Sequence, residues 1–416
     1  MEKFVINGGV KLSGKLRAES AKNAVLPILA ASVLTDEEVV IKNCPAIADV
    51  LSMIKILNFL GVKTEFQDGN LIVNASGIGG YAIPYSLGKE LRSSVFMMGA
   101  LVSRFKKARL SYPGGCDIGA RPVDLHLKGL EKLGVGVCED DGVIECFSDG
   151  IKGNRINLSF PSVGATENIM LAAVTAEGKT EIRGAAKEPE IVDLMRFLNK
   201  MGAKVYGAGT STILIEGVKS LHGAEYKPIS DRIEVGTYLI AAAITGGEVE
   251  ISGCDSKNIC SILHKLCDNT CKISIKNDII YLKSGVERKP FKVSTGPHPY
   301  FPTDMQAQIM TLAAVSNDVS VITENVFEKR FGHAAELKKM GADISVKGKT
   351  ATVKGVKRLT GANVVSNDLR GGAALVLAGL NAEGVTEVYG AHHVKRGYLD
   401  MDKKLRSLGA EVKIEN

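Results

Sequence analysis

Lys200-Met201-Gly202-Ala203 decides the fold: it reads as the last turn of an amphipathic helix, a glycine, and the first residue of a strand. Glycine suits that junction because it takes positive φ without a Cβ penalty, which lets a helix end and the chain turn into an extended segment. The same signal recurs at Phe59-Leu60-Gly61-Val62, Lys132-Leu133-Gly134-Val135, Lys339-Met340-Gly341-Ala342 and Ser407-Leu408-Gly409-Ala410. A degenerate member, Asn269-Thr270-Cys271, fills the remaining gap, and the spacings are then 73, 68, 68, 71 and 68 residues, counted at the glycine or at Thr270. Such a period marks a fold assembled from one repeated unit. Thr270 departs from the glycine rule, so an altered turn is expected in that repeat.

Each repeat carries a second signature, a helix of small apolar residues followed by a turn and a strand. These helices are Ala24 to Leu34, Val95 to Val102, Ile169 to Thr175, Tyr238 to Thr245, Ile309 to Val315 and Ala373 to Leu380. They are apolar nearly all round, unlike the amphipathic helices that precede the glycines, and are expected to be fully buried. The last repeat stops after one strand, Glu411 to Ile414, and Phe4-Val5-Ile6 can supply its missing partner, which brings both ends of the chain into one domain. The repeats then divide three and three with a crossover near Pro228. One domain is expected at residues 22–229 and the other at residues 1–21 with 230–416, in keeping with a length beyond what one core usually serves.

The formal charge of +6 is spread along the chain, and no basic run is interleaved with aromatics, so small anionic substrates fit better than nucleic acid. The opening Met-Glu-Lys-Phe-Val-Ile-Asn lacks a basic region followed by an apolar core, and the longest apolar runs are too short for a bilayer. A soluble, cytoplasmic protein without a membrane partner is expected. Eight cysteines in such a chain argue against a disulfide framework. Cys254, Cys260, Cys267 and Cys271 lack both a CxxC spacing and a nearby His pair, and are expected to be small buried residues rather than zinc ligands.

Function is written at the starts of the apolar helices: Lys22-Asn23, Arg92, Ser162-Val163-Gly164, Asp231-Arg232, Asp304 and Arg370. Ser162 and Asp231 suit N-caps. A cation beside the positive end of a helix dipole is unfavourable by a few tenths to about 1 kcal/mol unless an anion joins it. Lys22, Arg92 and Arg370 therefore point to a shared negative ligand such as phosphate. Arg121, Arg330 and Arg396 add cations on loops. Between Tyr112 and His126, Pro113-Gly114-Gly115 sets Cys116 on a flexible turn five residues before Arg121. A thiol beside a guanidinium can be held as thiolate or used as an acid.

Several motifs together resemble the enolpyruvyl transferase family. They are Ser20-Ala21-Lys22-Asn23-Ala24, Pro113-Gly114-Gly115-Cys116, Gly119-Ala120-Arg121-Pro122-Val123-Asp124-Leu125-His126, Ser162-Val163-Gly164-Ala165-Thr166, Phe301-Pro302-Thr303-Asp304-Met305-Gln306-Ala307-Gln308, Arg330-Phe331 and Arg396-Gly397-Tyr398. The resemblance runs from Ile6 to Val412. It implies an α/β fold of two inside-out α/β barrels, each of three repeats with helices inside and sheets outside. Departures from the family pattern are Leu91-Arg92-Ser93-Ser94, Asp117 after the cysteine, Phe160 where a basic residue is frequent, and Leu399 after Tyr398.

The reaction implied by the resemblance moves the enolpyruvyl group of phosphoenolpyruvate to the 3-hydroxyl of UDP-N-acetylglucosamine, the opening step of peptidoglycan synthesis. Phosphate leaves by C–O cleavage. Cys116 matches the family's acid and Asp304 its base. Lys22, Arg121 and Arg396 would hold the phosphate, with Arg330 and Arg370 on the carboxylate or completing the pocket. Asn23, Arg92, Arg121, Pro122, Val123, Asp124, Leu125, Ser162, Val163, Gly164, Asp304 and Val326 carry over for the sugar nucleotide. No cofactor or metal is implied, the two substrates are the expected partners, and a monomer is expected. His126, His392 and His393 read as structural. Ligands from both halves of the chain imply a cleft that closes, with Gly114 to Gly119 as lid. The competing readings are a transferase acting on shikimate 3-phosphate and a paralogue that binds a UDP-sugar without catalysis.

Overall fold

The structure is a computed structural model that describes residues 1–114, 118–119, 122–285 and 287–416. By its contacts the chain forms two compact units. The terminal unit holds residues 1–19 and 230–416 with Ile118 and Gly119; the inserted unit holds residues 20–114 and 122–229. Ile118 and Gly119 thus make their contacts with the terminal unit although the chain around them belongs to the inserted one. The Lys329 amide donates to the Ile118 carbonyl at 3.2 Å, and a Cβ on Gly119 would meet the Glu328 carboxylate.

Three sheets in each unit follow one plan. In the terminal unit, Lys292–Ser294 runs parallel to Val319–Thr323, which pairs antiparallel with Thr350–Lys354 and through it with Asp343–Lys347. The Gln306–Ala313 helix makes the crossover between the parallel pair. Asn363–Val365, Val385–Tyr389, Lys3–Asn7 and Glu411–Glu415 repeat the order, with Ile6 opposite both Thr386 and Val412. The opening strand of the chain therefore completes the last repeat. In the third sheet, Ser13–Arg17 lies parallel to Glu248–Ser252, followed by Ile279–Lys283 and Lys272–Lys276. Here the crossover from Arg17 to the Arg232–Thr245 helix contains the whole inserted unit.

That unit repeats the plan in Arg155–Asn157, Lys179–Arg183, Thr212–Glu216 and Lys204–Tyr206. Its last strand, Glu225–Tyr226, pairs parallel with its first, Val39–Ile41, so the inserted unit closes on itself. Its third sheet has three strands, and an isolated bridge between Ala82 and Arg109 stands where the parallel strand belongs.

The six apolar helices lie inside. Their observed extents are Lys22–Ala31, Phe96–Phe105, Val163–Ala173, Arg232–Thr245, Gln306–Ala313 and Leu369–Asn381. From Arg232 to Ile244 every residue is buried. Small side chains permit this close packing: a Cβ on Gly99 would lie 2.2 Å from the Asn168 carbonyl oxygen of the neighbouring helix. The sheets outside alternate, burying Val249 and Ile251 and leaving Glu248 and Glu250 half-buried, as a one-sided sheet demands. The outer Pro189–Lys200 helix buries Ile191, Leu194, Phe197 and Leu198 on one stripe.

Two expectations need correction. Thr270 does not alter its turn: its φ of +76 lies with the +83 to +97 of the five glycines, so the residue adopts the left-handed conformation itself. Its hydroxyl donates to the Glu287 carbonyl, which helps hold it there. Among the clustered cysteines, Cys254 and Cys271 are buried but Cys260 and Cys267 are exposed. They occupy the solvent side of the Cys260–Asp268 helix, whose buried stripe is Ile262, Leu263 and Leu266. Among the described residues no helix is long and apolar enough to cross a membrane.

Candidate active site

In the terminal unit, Asp304 sits in a single 3-10 turn, Thr303–Met305, that opens the Gln306–Ala313 helix. Its carboxylate accepts from Arg330 Nη2 at 2.7 Å and Arg370 Nη2 at 3.1 Å. The two guanidinium-bearing side chains are 5% and 3% exposed, against 27% for Asp304. Arg330 Nη1 also donates to Thr303 Oγ1, which in turn donates to Glu324 at 2.8 Å. The other Glu324 oxygen accepts the Val326 and Phe327 amides, shaping the loop that delivers Arg330. Arg370 is the second residue of its helix, and Asp368 caps that helix by accepting the Arg370 and Gly371 amides.

Two buried guanidinium groups thus share one carboxylate. Arg330 Nε and Arg370 Nε and Nη1 find no hydrogen-bond partner among the described residues. Burial opposes the Arg370 charge, but Tyr398, Asp304 and Asp231 outweigh it and raise the pKa further. Buried guanidinium N–H groups left open favour a planar anion such as carboxylate or phosphate. Asp231 acts as the expected cap, accepting the Ile233 and Glu234 amides. Arg396 is half-buried at the end of the short Ala391–Lys395 helix. Val326 is half-buried.

In the inserted unit, Lys22 and Asn23 open an inner helix, and Lys22 Nζ lies 3.1 Å from the buried Asp49 carboxylate. Pro27 inside this helix has no amide to give, so the Asn23 carbonyl receives no bond from residue 27. Arg92 Nη1 donates to the Pro113 carbonyl at 3.4 Å, reaching the segment that leads to Cys116. Ser162 caps the Val163–Ala173 helix, its Oγ accepting from the Ala165 amide. Gly164 follows at the helix start, where a Cβ would come within 3.0 Å of the His126 ring.

Val123 is buried before the Asp124–Lys132 helix, Pro122 is exposed and Leu125 half-buried. Asp124 is exposed and bridges to Lys128 at 3.2 Å. His126 Nδ1 and Asn168 Nδ2 are 3.1 Å apart, and Asn168 Oδ1 accepts the Gly99 amide. Burial first, then the Arg92 charge, depress His126 to a pKa of about 3, so it is a neutral structural imidazole. Cys116 and Arg121 lie outside the described residues, as does half of the expected lid.

Asp304, Arg330 and Arg370 therefore form one cluster within the terminal unit. Lys22 forms an ion pair within the inserted unit. Sequence reasoning missed Asp49, Thr303, Glu324 and Asp368. Three of these are short-range: Thr303 beside Asp304, Asp368 two before Arg370, and Glu324 at the end of an apolar strand. Lys22 and Arg370 do meet anions at their helix starts, as the dipole argument requires, but part of that charge is the protein's own.

The family model for EPSP synthase (3-phosphoshikimate 1-carboxyvinyltransferase) matches residues 6–405. A UDP-N-acetylglucosamine 1-carboxyvinyltransferase 2 of Caldanaerobacter subterraneus is 51% identical over 415 residues, covering 99% of both chains. Its namesake in Clostridium tetani is 46% identical over 414 residues, covering 99% of both chains. The solved enolpyruvyl transferase NikO of Streptomyces tendae superposes with a TM-score of 0.90 at 26% identity, covering 100% of this chain and 99% of that one. EPSP synthase of Acinetobacter baumannii, at 18% identity and a TM-score of 0.78 with both chains covered in full, shares the fold. The chain belongs to the enolpyruvyl transferase family. Within it, the relatives at 46–51% identity are UDP-N-acetylglucosamine 1-carboxyvinyltransferases.

Proposed function

We propose that the protein transfers the enolpyruvyl group of phosphoenolpyruvate to the 3-hydroxyl of UDP-N-acetylglucosamine in the cytoplasm. The observation that carries this reading is the pair of buried guanidinium groups on Asp304, with N–H donors left open. Relatives across the full chain length support the acceptor.

The reaction needs a proton at the alkene carbon and a base for the sugar hydroxyl. Cys116 gives its proton to the methylene carbon of phosphoenolpyruvate, while the hydroxyl oxygen bonds to the adjacent carbon and its proton passes to Asp304. A carboxylate has roughly four lone-pair positions. Arg330 and Arg370 each donate to a different oxygen of Asp304 and hold its carboxylate in place for the hydroxyl. In elimination the Cys116 thiolate takes a proton back from the new methyl group, the alkene re-forms, the C–O bond to phosphate breaks, and the departing phosphate takes up the proton held by Asp304. Lys22, Arg121 and Arg396 hold the phosphate as charge moves onto it, while Arg330 and Arg370 grip the carboxylate. Val163 and Gly164 offer helix-start amides to the diphosphate, beside Ser162, whose own amide donates to the Phe160 carbonyl, and Asn23 and Arg92. The run Pro122 to Leu125 and Val326 receive the uridine and sugar.

The test is phosphate release from phosphoenolpyruvate with UDP-N-acetylglucosamine and, separately, with shikimate 3-phosphate. Release with the first alone is expected; release only with the second would overturn the acceptor. Cys116→Ala should lose about 10²–10⁴-fold in kcat, the usual share of a general acid. Cys116→Asp should retain turnover yet resist alkylation by the epoxide fosfomycin, having no thiolate.

A further inference from the structure

Arg370 is fixed from two sides. Asp304 takes one edge of its guanidinium, and the Tyr398 ring lies against its face, with the guanidinium carbon 5.4 Å from the ring centroid. The far end of Tyr398 is itself held. Its hydroxyl lies 2.8 Å from Thr237 Oγ1 and 3.3 Å from Gln308 Nε2, and Gln308 Nε2 also donates to Thr237 Oγ1 at 3.2 Å. Thr237 spends its one hydroxyl proton on the Ile233 carbonyl at 2.7 Å. With Thr237 committed to Ile233, the Tyr398 hydroxyl donates to Thr237 and accepts from Gln308, whose Oε1 finds no partner among the described residues. All three side chains are buried, where hydroxyl and amide groups are costly unless satisfied and an apolar residue would fill the space without that demand. Gly397 presses the same segment onto the Arg370 helix: a Cβ there would lie 2.8 Å from Leu369.

We infer that Tyr398, locked by Thr237 and Gln308, is a positioning residue that sets the plane of the Arg370 guanidinium, and with it the aim of the open Nε and Nη1 donors at the phosphoenolpyruvate carboxylate. The inference rests on the proposed assignment of Arg370 to that carboxylate. Tyr398→Phe keeps the ring and removes both hydroxyl bonds. It should raise KM for phosphoenolpyruvate about 3- to 10-fold, the loss expected when a satisfied buried hydrogen bond is removed. KM for the sugar nucleotide and kcat should stay nearly level, the signature of lost uniform binding. Thr237→Val should do the same, Thr237→Ser should restore the wild-type value, and the Tyr398→Phe/Thr237→Val pair should be less than additive.

Arg370→Lys separates the two ideas. If it raises KM for phosphoenolpyruvate while Tyr398→Phe and Thr237→Val do not, the positioning role is overturned. Should Arg370→Lys itself leave that KM unchanged, the carboxylate assignment fails first and the inference falls with it. A rise in both KM values in step with a lowered melting temperature would make Tyr398 merely structural and overturn the inference.

Discussion

The two units share one plan, three sheets around three buried helices, yet they spend their buried polar groups differently. In the terminal unit the inner helices carry Thr237, Gln308 and Arg370, and polar side chains converge on one guanidinium–carboxylate cluster at Asp304. In the inserted unit the inner polar groups are neutral and serve packing: Asn168 ties His126 to the Val95 carbonyl and the Gly99 amide. Its charged pair, Lys22 with Asp49, stands at the helix start. The same scaffold thus makes a rigid charged centre in one copy and helix-start amides with the cations Lys22 and Arg92 in the other. Repetition supplies geometry, and the residues at helix starts supply chemistry.

The sharpest way to break this contrast is Asp304→Asn. It leaves two buried guanidinium groups without their shared anion and removes the proposed base, so kcat should fall by about 10²–10⁴-fold, with a lower melting temperature. Activity within a few-fold of wild type would mean that the cluster is structural.

Titration compares the units next. Burial pushes Asp193 of the inserted unit up to about 6, with the Tyr226 hydroxyl and Ile229 amide pulling down. Burial likewise pushes Glu234 of the terminal unit up to about 7, against Lys404. A carboxyl raised in the fold contributes stability fully below its unfolded value and loses it as pH rises through the folded one. The loss should span roughly pH 4–6 for Asp193 and pH 4–7 for Glu234. Denaturant melts of Asp193→Asn should show a flatter pH slope in the lower window, worth on the order of 3 kcal/mol. An unchanged slope would remove Asp193 as its source.

Ser162→Ala then probes the neutral helix start. Losing the cap should cost about 1 kcal/mol of stability, and KM for the sugar nucleotide should rise while that for phosphoenolpyruvate holds. A rise in both would erase the division of labour. The smallest effect is expected at Thr270→Asn, which should gain roughly 0.5–1 kcal/mol because Asn tolerates the left-handed region better than a β-branched residue. A loss instead would show that the hydroxyl bond to Glu287 outweighs the backbone strain.

Most of the scaffold was legible because its signals are local. A glycine every 68 to 73 residues reports a helix end directly, and a helix apolar on every face reports burial. Thr270 misled because a tertiary fold can impose a backbone conformation that the residue type disfavours. Cys260 and Cys267 misled because residue type was weighed over their place on the helical stripe. At the site, residue types at helix starts revealed the cations, but not what faces them. Lys22 and Asp49 are 27 residues apart and Arg370 and Asp304 are 66 apart, and no local pattern marks such pairs. The Tyr398 network was hidden for the same reason, since Thr237, Gln308 and Tyr398 come from three repeats.

The insertion of one unit between Arg17 and Arg232 also orders events during synthesis. Ser13–Arg17 emerges early but pairs with Glu248–Ser252, and Lys3–Asn7 pairs with Val385–Tyr389 and Glu411–Glu415. At roughly 5–20 residues per second, the first strand stays without neighbours for some tens of seconds while the inserted unit has all its own partners on the ribosome. The inserted unit is thereby the first to be completed. The Lys3–Asn7 strand, with Phe4 and Ile6 uncovered until residues 385–415 arrive, is the stretch that a nascent-chain chaperone has most reason to shield.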